Sequence, residues 1–589
     1  MGADRTGRRP EVGARALSEP AASPRPRVAR VLPERPGINK VFDYEVPPDL
    51  AGRASLGAMV RVELHGRRIG GWIIGDGAEP PAELALKPIA KVSSIGPTRE
   101  IIELADWAAW RWAGAPAHFL RTASPERNVT ALGPRRVGPG FIGQPRTTVV
   151  RLPPAASPYD LIVEQAGQGG QGGLVLVPSL LTAHRLANKL RRDGVVNPAV
   201  YPNDWARVRS GDFTIGTRSG AWAPVRELRS VILIDEHDEV WQQESAPTWH
   251  ARDVVVERAR RAGVACTLVS PAPTLEALGW GELQAPSRDE ERAGWPMVQV
   301  VDRRDEPPGA PLLSDALAVI LRTDARVVCV LNRKGRSRLL ACGACGEVAR
   351  CESCHAAVSL TDGAELVCGA CGTTRPPICV ACGGGKFRNL RAGVARVREE
   401  LEALAREPVV EVTGDTHDEL ASDARVFIGT EAVLHRVPRA DVVAFLDFDQ
   451  ELLAPRYRAA EEALTLLIRA GRMVGNRAGG GRVLLHTRLP QHEAIQAALH
   501  GDPARLVARE RPRRELLRYP PSAAVAVVSG AAAPVFMETF GRPDAVDVLG
   551  PTEGEWLVRA TNHEPLLDAL ASTPRPPGRL RIAVDPLRL

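Results

Sequence analysis

Residues 342–382 read CGACGEVARCESCHAAVSLTDGAELVCGACGTTRPPICVAC and hold eight of the chain's ten cysteines. The spacing is Cys342-x2-Cys345, Cys351-x2-Cys354, Cys368-x2-Cys371 and Cys379-x2-Cys382. Each C-x2-C places two thiolates on one tight turn, half of a tetrahedral metal–S4 site. Five residues separate Cys345 from Cys351, too few for a hairpin between two partner turns. Thirteen separate Cys354 from Cys368, and among them Thr361-Asp362-Gly363 lies between two apolar runs, which is a hairpin signal. The expected pairing is therefore nested, with Cys351, Cys354, Cys368 and Cys371 as the inner site and Cys342, Cys345, Cys379 and Cys382 as the outer one. Four thiolates leave no open coordination position, so two Zn2+ ions per chain are expected in an architectural role, with His355 a bystander. Redox C-x2-C pairs do not come four in a row, and a secreted disulfide protein would spread its cysteines over a short chain.

On either side of this module, apolar runs alternate with helical patterns. TTVVRL, GLVLVP, DFTIGT, SVILID and ACTLVS precede it, RVVCVLN leads into it, and PVVEVTG, RVFIGT, DVVAFLD and GRVLLHT follow. Near-continuous apolar strands of this kind belong in parallel sheets covered on both faces. Nearer the N-terminus, VARVL, FDYEV, MVRVEL and IGGWII alternate with period two between Gly and Pro, as strands of a small barrel or sandwich do. Residues 97–121 carry a helix-period face in Ile101, Ile102, Leu104, Ala105 and Trp112.

At 589 residues the chain is too long for one core. The expected division is a basic tail at 1–27, a β domain at 28–96, a helical segment at 97–145, α/β lobes at 146–310 and 311–504 with the cysteine insertion at 340–385, and a C-terminal α+β domain at 505–589. The tail has six arginines and four prolines but no apolar core, so it reads as a solvated segment and not a secretory signal. The longest uncharged stretch, Pro520 to Met537, is rich in alanine and is broken by Ser529, Gly530 and Pro534; it reads as a strand and a loop. A cytoplasmic protein without membrane contact is expected. A net charge of +6 is small for this length and does not by itself point to nucleic acid.

The cysteine module interrupts a lobe opening with Leu331-Asn332-Arg333-Lys334-Gly335, and upstream lies IGTRSGAWAPVRELRSVILIDEHDEVWQQESAPTWHARDVVVERA. With Ile428 to Thr430, Leu446 to Asp449 and Val584-Asp585-Pro586, this arrangement closely resembles the PriA family of primosomal replication-restart proteins, superfamily 2 DNA helicases in their usual form. The resemblance runs from about Val28 to the end and implies two RecA-like helicase lobes, a nested pair of zinc sites and a 3′-end DNA-binding β domain. Phe42-Asp43-Tyr44 is similar to the family's FDY motif, which lines a pocket for the 3′ end of a nascent strand, and Gly66 and Lys87 match its other positions. An aromatic face there would stack on the terminal base, a carboxylate would accept the 3′-hydroxyl proton, and a lysine would neutralise a phosphate. Trp241 and Trp249 fall where the family has an aromatic-rich loop and are expected to stack on single-stranded DNA or to pack between the lobes. The implied partners are forked DNA with a 3′ end, single-stranded DNA, helicase-loading proteins and single-strand binding protein, for a chain expected to be monomeric.

The motor motifs depart from that pattern. A helicase needs G-x-x-x-x-G-K-[ST] after the first strand of lobe one. Here that strand is followed by Pro153-Pro154-Ala155-Ala156-Ser157-Pro158-Tyr159-Asp160, with Tyr159 in the lysine's place, Asp160 repelling phosphate and prolines removing N–H donors. The glycine run at 167–173 precedes a strand, lacks Lys-Ser/Thr and reads as a turn. Asp235-Glu236 keeps the form of a magnesium-binding pair, and of the arginine-finger segment, replaced by RAGRMVGNRAGGG, only Arg472 is expected to survive. A fork-binding scaffold with a degenerate nucleotide site is thus expected ahead of an active 3′-to-5′ helicase. A zinc-ribbon transcription or RNA-processing factor would not account for the two lobes.

Overall fold

The computed structural model describes residues 27–589 apart from 36–37, 39, 78–85, 135–144, 168–170, 333–339, 362–364, 390–393 and 413–423. The basic tail, the Arg333-Lys334-Gly335 segment and the Asp362-Gly363 turn fall outside the described residues. Two compact units divide the chain between Ile95 and Gly96.

In the first unit, β1 (Arg27–Pro33), β2 (Phe42–Val46), β3 (Met59–Leu64), β4 (Arg67–Asp76) and β5 (Lys91–Ser94) form a sheet of order β2-β1-β4-β3-β5. The outer edge of β2 is bonded to the segment leading into β5, Glu45 N–H donating to Lys87 O at 3.0 Å and Ile89 N–H to Glu45 O at 2.9 Å, which curls the sheet into a barrel. Its core is the inward half of each strand, with Ala29, Val31, Tyr44, Val46, Val60, Val62 and Ile73 buried together.

The second unit opens with helices Arg99–Arg111 and Pro116–Ala123. The single helical run expected over 97–121 is broken because Ala113 takes a φ of +44° and Gly114-Ala115-Pro116 cannot continue a helix. A seven-stranded parallel sheet follows: β6 (Thr147–Arg151), β7 (Gly173–Leu176), β8 (Ala199–Val200), β9 (Thr214–Gly216), β10 (Ser230–Ile234), β11 (Ala265–Ser270) and β12 (Glu282–Gln284), in the order β12-β6-β11-β10-β7-β9-β8. Five of these strands are the apolar runs noted above, buried because helices cover both faces.

The second parallel sheet is β13-β23-β22-β14-β21-β20. Its first strands are β13 (Met297–Asp302) and β14 (Val327–Val330). After the cysteine module, which contains β15 (Leu340–Cys342), β16 (Val358–Leu360), β17 (Leu366–Cys368), β18 (Thr374–Arg375) and β19 (Phe387–Asn389), come β20 (Val410–Val412), β21 (Val426–Gly429), β22 (Val442–Phe445) and β23 (Arg482–Thr487). The lobe boundary expected at 310/311 is too late, since β13 runs parallel to β23 from Met297↔Arg482 to Asp302↔Thr487 and so belongs to the second sheet. Cys266 on β11 and Cys329 on β14 are core residues whose burial pushes their thiols up to about 12.

The chain ends in an antiparallel sheet of β24 (Ala524–Ser529), β25 (Val546–Thr552), β26 (Glu555–Ala560) and β27 (Arg581–Val584), with helices Ala533–Phe540 and His563–Ser572. Part of the stretch expected to be a loop is therefore helix. Pro534 stands in the first turn, where a missing N–H costs nothing. Among the described residues no helix is long and apolar enough to cross a membrane.

Candidate metal centres, nucleotide cleft and DNA-end site

The four C-x2-C turns share one geometry. The residue after each second cysteine takes a left-handed φ: Gly346 (+76°), His355 (+61°), Gly372 (+74°) and Gly383 (+73°). Its N–H closes the turn on the carbonyl of the first cysteine, at 3.0, 3.0, 3.0 and 2.9 Å respectively. Glycine suits three of these positions, and His355 holds the fourth as a turn residue, outside both ligand sets. The turns bring the cysteines together as two groups of four, Cys342/Cys345/Cys379/Cys382 and Cys351/Cys354/Cys368/Cys371, with every sulfur of a group within 4.8 Å of the others. Contacts of 3.6 Å for Cys342–Cys382 and Cys345–Cys379, and of 3.4–3.5 Å in the inner group, match a metal–sulfur tetrahedron, whose edge is about 3.8 Å for bonds of about 2.3 Å, and exceed any disulfide. The hairpin β16–β17 joins the halves of the inner group, as the thirteen-residue gap requires. The inner group lies against the module's own core of Leu340, Ala349, Val358 and Leu366, while Cys345 and Cys382 of the outer group are exposed.

At the C-terminal end of β6, where a helicase carries its phosphate loop, six of the backbone positions from 153 to 159 offer no free donor. Pro153, Pro154 and Pro158 lack N–H groups; Ala155 N–H donates to Gly294 O (3.1 Å), Ala156 N–H to Pro153 O (2.9 Å) and Tyr159 N–H to Ser157 Oγ (3.2 Å). Tyr159 turns away from the loop: its hydroxyl donates to Asp193 at 2.6 Å and Lys189 Nζ sits 3.6 Å from its ring centre. Asp160, beside it, faces solvent. Pro153 packs so tightly on Gly294 that a Cβ there would lie 2.4 Å from the proline, and Pro154 meets Gly471, 3.3 Å from where a Cβ would stand. Gly471 belongs to helix Ala459–Val474 of the second lobe.

The same helix reaches the two carboxylates. Arg472 forms a bidentate pair with Asp235, Nη1 to Oδ2 at 2.6 Å, and Arg469 pairs with both oxygens of Asp238 at 3.0 and 3.1 Å. Asp235 itself holds a strained φ of +58°, and its carbonyl accepts the Trp241 indole N–H at 2.7 Å. Glu236 is fully buried and accepts from Thr274 N–H (2.8 Å), Thr274 Oγ (2.9 Å) and Arg252 (3.3 Å). Burial raises the Glu236 pKa, though Arg252 pulls against it. One more bridge crosses between the lobes: Glu276, on helix Leu275–Trp280, is bound by Arg458 and flanked by Arg514 at 3.8 Å. Arg472 therefore grips Asp235, the carboxylate expected from the sequence to bind magnesium. Arg469, Arg458 and Glu276 escaped the sequence reading, although Asp235-x2-Asp238 and Arg469-x2-Arg472 are matched spacings that could have suggested the clamp.

The expectation that Trp241 and Trp249 stack on DNA is corrected by burial: they are 0% and 6% exposed. Trp249 ends an aromatic ladder through Trp222 (5.7 Å) and Phe119 (4.8 Å) to Trp112 (6.4 Å), which joins the opening helices to the first sheet, so no ring face is left for a base.

A family profile described as the 3′DNA-binding domain (3′BD) of PriA matches residues 30–125. The probable replication restart protein PriA of Mycobacterium leprae is 29% identical, covering 90% of this chain and 92% of its own length. That of Mycobacterium bovis is 30% identical, covering 88% and 90%. The chain belongs to the PriA family. A more distant PriA, that of Bacillus subtilis, is 26% identical over 62% of this chain and 50% of its own length.

Within the PriA 3′BD match, the β2 residues divide by face. Period-two alternation turns Phe42 and Tyr44 into the barrel. Tyr44 is 3% exposed, its hydroxyl donating to Glu63 O at 3.1 Å, so it cannot stack on a base, and Phe42 is half-buried against the same core. Asp43 points outward, paired with Arg30 of β1 at 3.5 Å. Lys87 is bonded to Glu63 Oε1 at 2.7 Å, which holds the glutamate below the usual carboxylate range. Gly66 forms, with His65, a two-residue hairpin turn with φ values of +71° and +49°, as a type I′ turn demands. Lys87, Glu63 and the Tyr44 hydroxyl thus meet in one place, and Asp43 meets Arg30 in another.

Proposed function

We propose that this chain is a DNA-binding replication-restart protein that recognises stalled or abandoned forks through a 3′ end and helps reload the replicative helicase without a motor of its own. The observation that carries the motor half of this reading is the bidentate hold of Arg472 on Asp235, beside a loop with prolines at 153, 154 and 158 and with the Ala155, Ala156 and Tyr159 amides bonded internally. Magnesium would have to displace an arginine held in a bidentate ion pair, and triphosphate would find a proline-broken loop without the motif's lysine. The eight cysteines fit two zinc ions, with all four positions of each filled by thiolate, so the metals would brace the module and take no part in hydrolysis. Purified protein is expected to show no ATP hydrolysis with or without forked DNA. Turnover that vanishes in Asp235→Asn would establish the helicase instead.

The DNA half of the reading rests on Asp43. Its side chain is a third exposed, and beyond the single long contact with Arg30 it accepts no hydrogen bond from any described residue. A free 3′-hydroxyl can donate to it, whereas a 3′-phosphate removes the donor and adds charge beside a carboxylate. Forks ending in 3′-OH should therefore bind more tightly than forks ending in 3′-phosphate by about 1–3 kcal/mol. Asp43→Ala should abolish the difference while leaving blunt duplex binding unchanged. Fluorescence anisotropy at fixed salt reads both, and equal affinity for the two ends in the unmodified protein removes Asp43 from the site.

A further inference from the structure

The barrel's outer surface carries cations in excess of its acids. On β3 and β4 the cross-strand neighbours are Arg61↔Gly70, Glu63↔Arg68 and Leu64↔Arg67, and on β3 and β5 Arg61↔Lys91. Arg61, Arg68, Lys87 and Lys91 are all exposed, whereas Arg67, opposite the core-packed Leu64, lies on the other face of its strand. Glu63 is already taken by Lys87, and Glu34, the other carboxylate here, lies over Gly70, 2.7 Å from where a Cβ would stand. Arg61 and Lys91 make no ion pair with any described residue. They moreover stand directly opposite one another, a like-charge arrangement that opposes the sheet unless an anion relieves it.

The face offers nothing for bases. Trp72 and Tyr44 are buried, and among the described residues of the barrel no large hydrophobic side chain is exposed. Single-stranded DNA needs stacking platforms, whereas a duplex presents phosphates that rigid, regularly placed cations can read without bases.

We propose that the outer face of β3, β4 and β5 binds the phosphate backbone of duplex DNA, independently of sequence, as a contact separate from the Asp43 position. The proposal rests on the reading of this chain as a fork-binding protein and adds to it the arm of the fork that the barrel grips. The backbone geometry sets the spacing, about 5 Å across strands and about 7 Å between same-face residues along one.

The test uses the full-length protein and a blunt duplex over a range of salt concentrations. Arg61→Gln with Arg68→Gln should weaken binding equally for unrelated sequences and lower the slope of log affinity against log salt by about 2, one for each phosphate that no longer meets a cation. Lys91→Gln with Arg61→Gln, a second pair on the same face, should do the same, and unchanged metal content and melting temperature show that neither pair has unfolded the barrel. An unaltered slope and affinity in both pairs overturns the proposal and leaves the face to an acidic protein partner. The preference for 3′-OH over 3′-phosphate should persist in both pairs. Its absence in the unmodified protein would count against the 3′-end reading, while a reduced slope would still support the face.

Discussion

Replacing Glu276 by Gln should destabilise the protein by about 3–5 kcal/mol, the cost of leaving buried charge without its partner. Glu276 lies between Arg458, Arg252 at 4.0 Å and Arg514 at 3.8 Å, with only 8% of its side chain exposed. Burial alone would raise its pKa, but the three guanidinium groups outweigh that and hold it far below the usual carboxylate range. Glutamine keeps the shape and removes the charge, so three arginines would repel one another in a site water reaches poorly. Because the folded-state pKa is depressed, this stabilisation is fully present above the unfolded value of about 4.3 and is lost as pH falls through the folded one. Urea unfolding at pH 7 should show the midpoint shifting with the slope unchanged, and Glu276→Gln should also flatten the loss of stability on acidification. A shift below about 1 kcal/mol would mean that the lobes are held by packing and not by this bridge.

Loss of the inner metal should have a larger effect still. Structural zinc contributes on the order of 10 kcal/mol to small metal-dependent modules, and this module is not a free appendage. Ala357 N–H donates to Leu453 O at 2.8 Å, and Val348 and Ala357 are buried in the second lobe's core beside Phe427, Phe445 and Phe448. Cys351→Ser should therefore unfold the β16–β17 half of the module around the inner group, expose that core and leave the outer metal bound, one per chain. Cys382→Ser, at an exposed corner of the outer group, should release only the outer metal with a smaller loss of stability. Metal analysis with hydrogen exchange distinguishes the two. One zinc in the unmodified protein, or loss of both on either change, contradicts two separate sites.

The parallel strands were legible because burial on both faces leaves runs such as Val327–Val330 with no polar side to hide. The cysteine grouping was legible because loop length restricts which turns can meet. What escaped depends on distant partners. Nothing local in Met297–Asp302 says that it lies beside Arg482–Thr487 and so belongs to the second lobe. Trp241 reads as a loop aromatic until the Asp235 carbonyl that its indole bonds is in view. Phe42 and Tyr44 show how a motif match and a strand pattern compete: alternation prevails for both rings and leaves Asp43 outside.

The hold of Arg472 on Asp235 also bears on time. A nucleotide-driven machine can release its substrate on a schedule set by hydrolysis, and can reject a wrong one by spending fuel between binding and commitment. If that hold keeps the cleft from hydrolysing nucleotide, as proposed above, no irreversible step separates binding from commitment, and every encounter with a junction obeys detailed balance. Discrimination between one junction and another is then capped by the difference in their binding free energies, and departure waits for spontaneous dissociation or for a competitor to push the chain off.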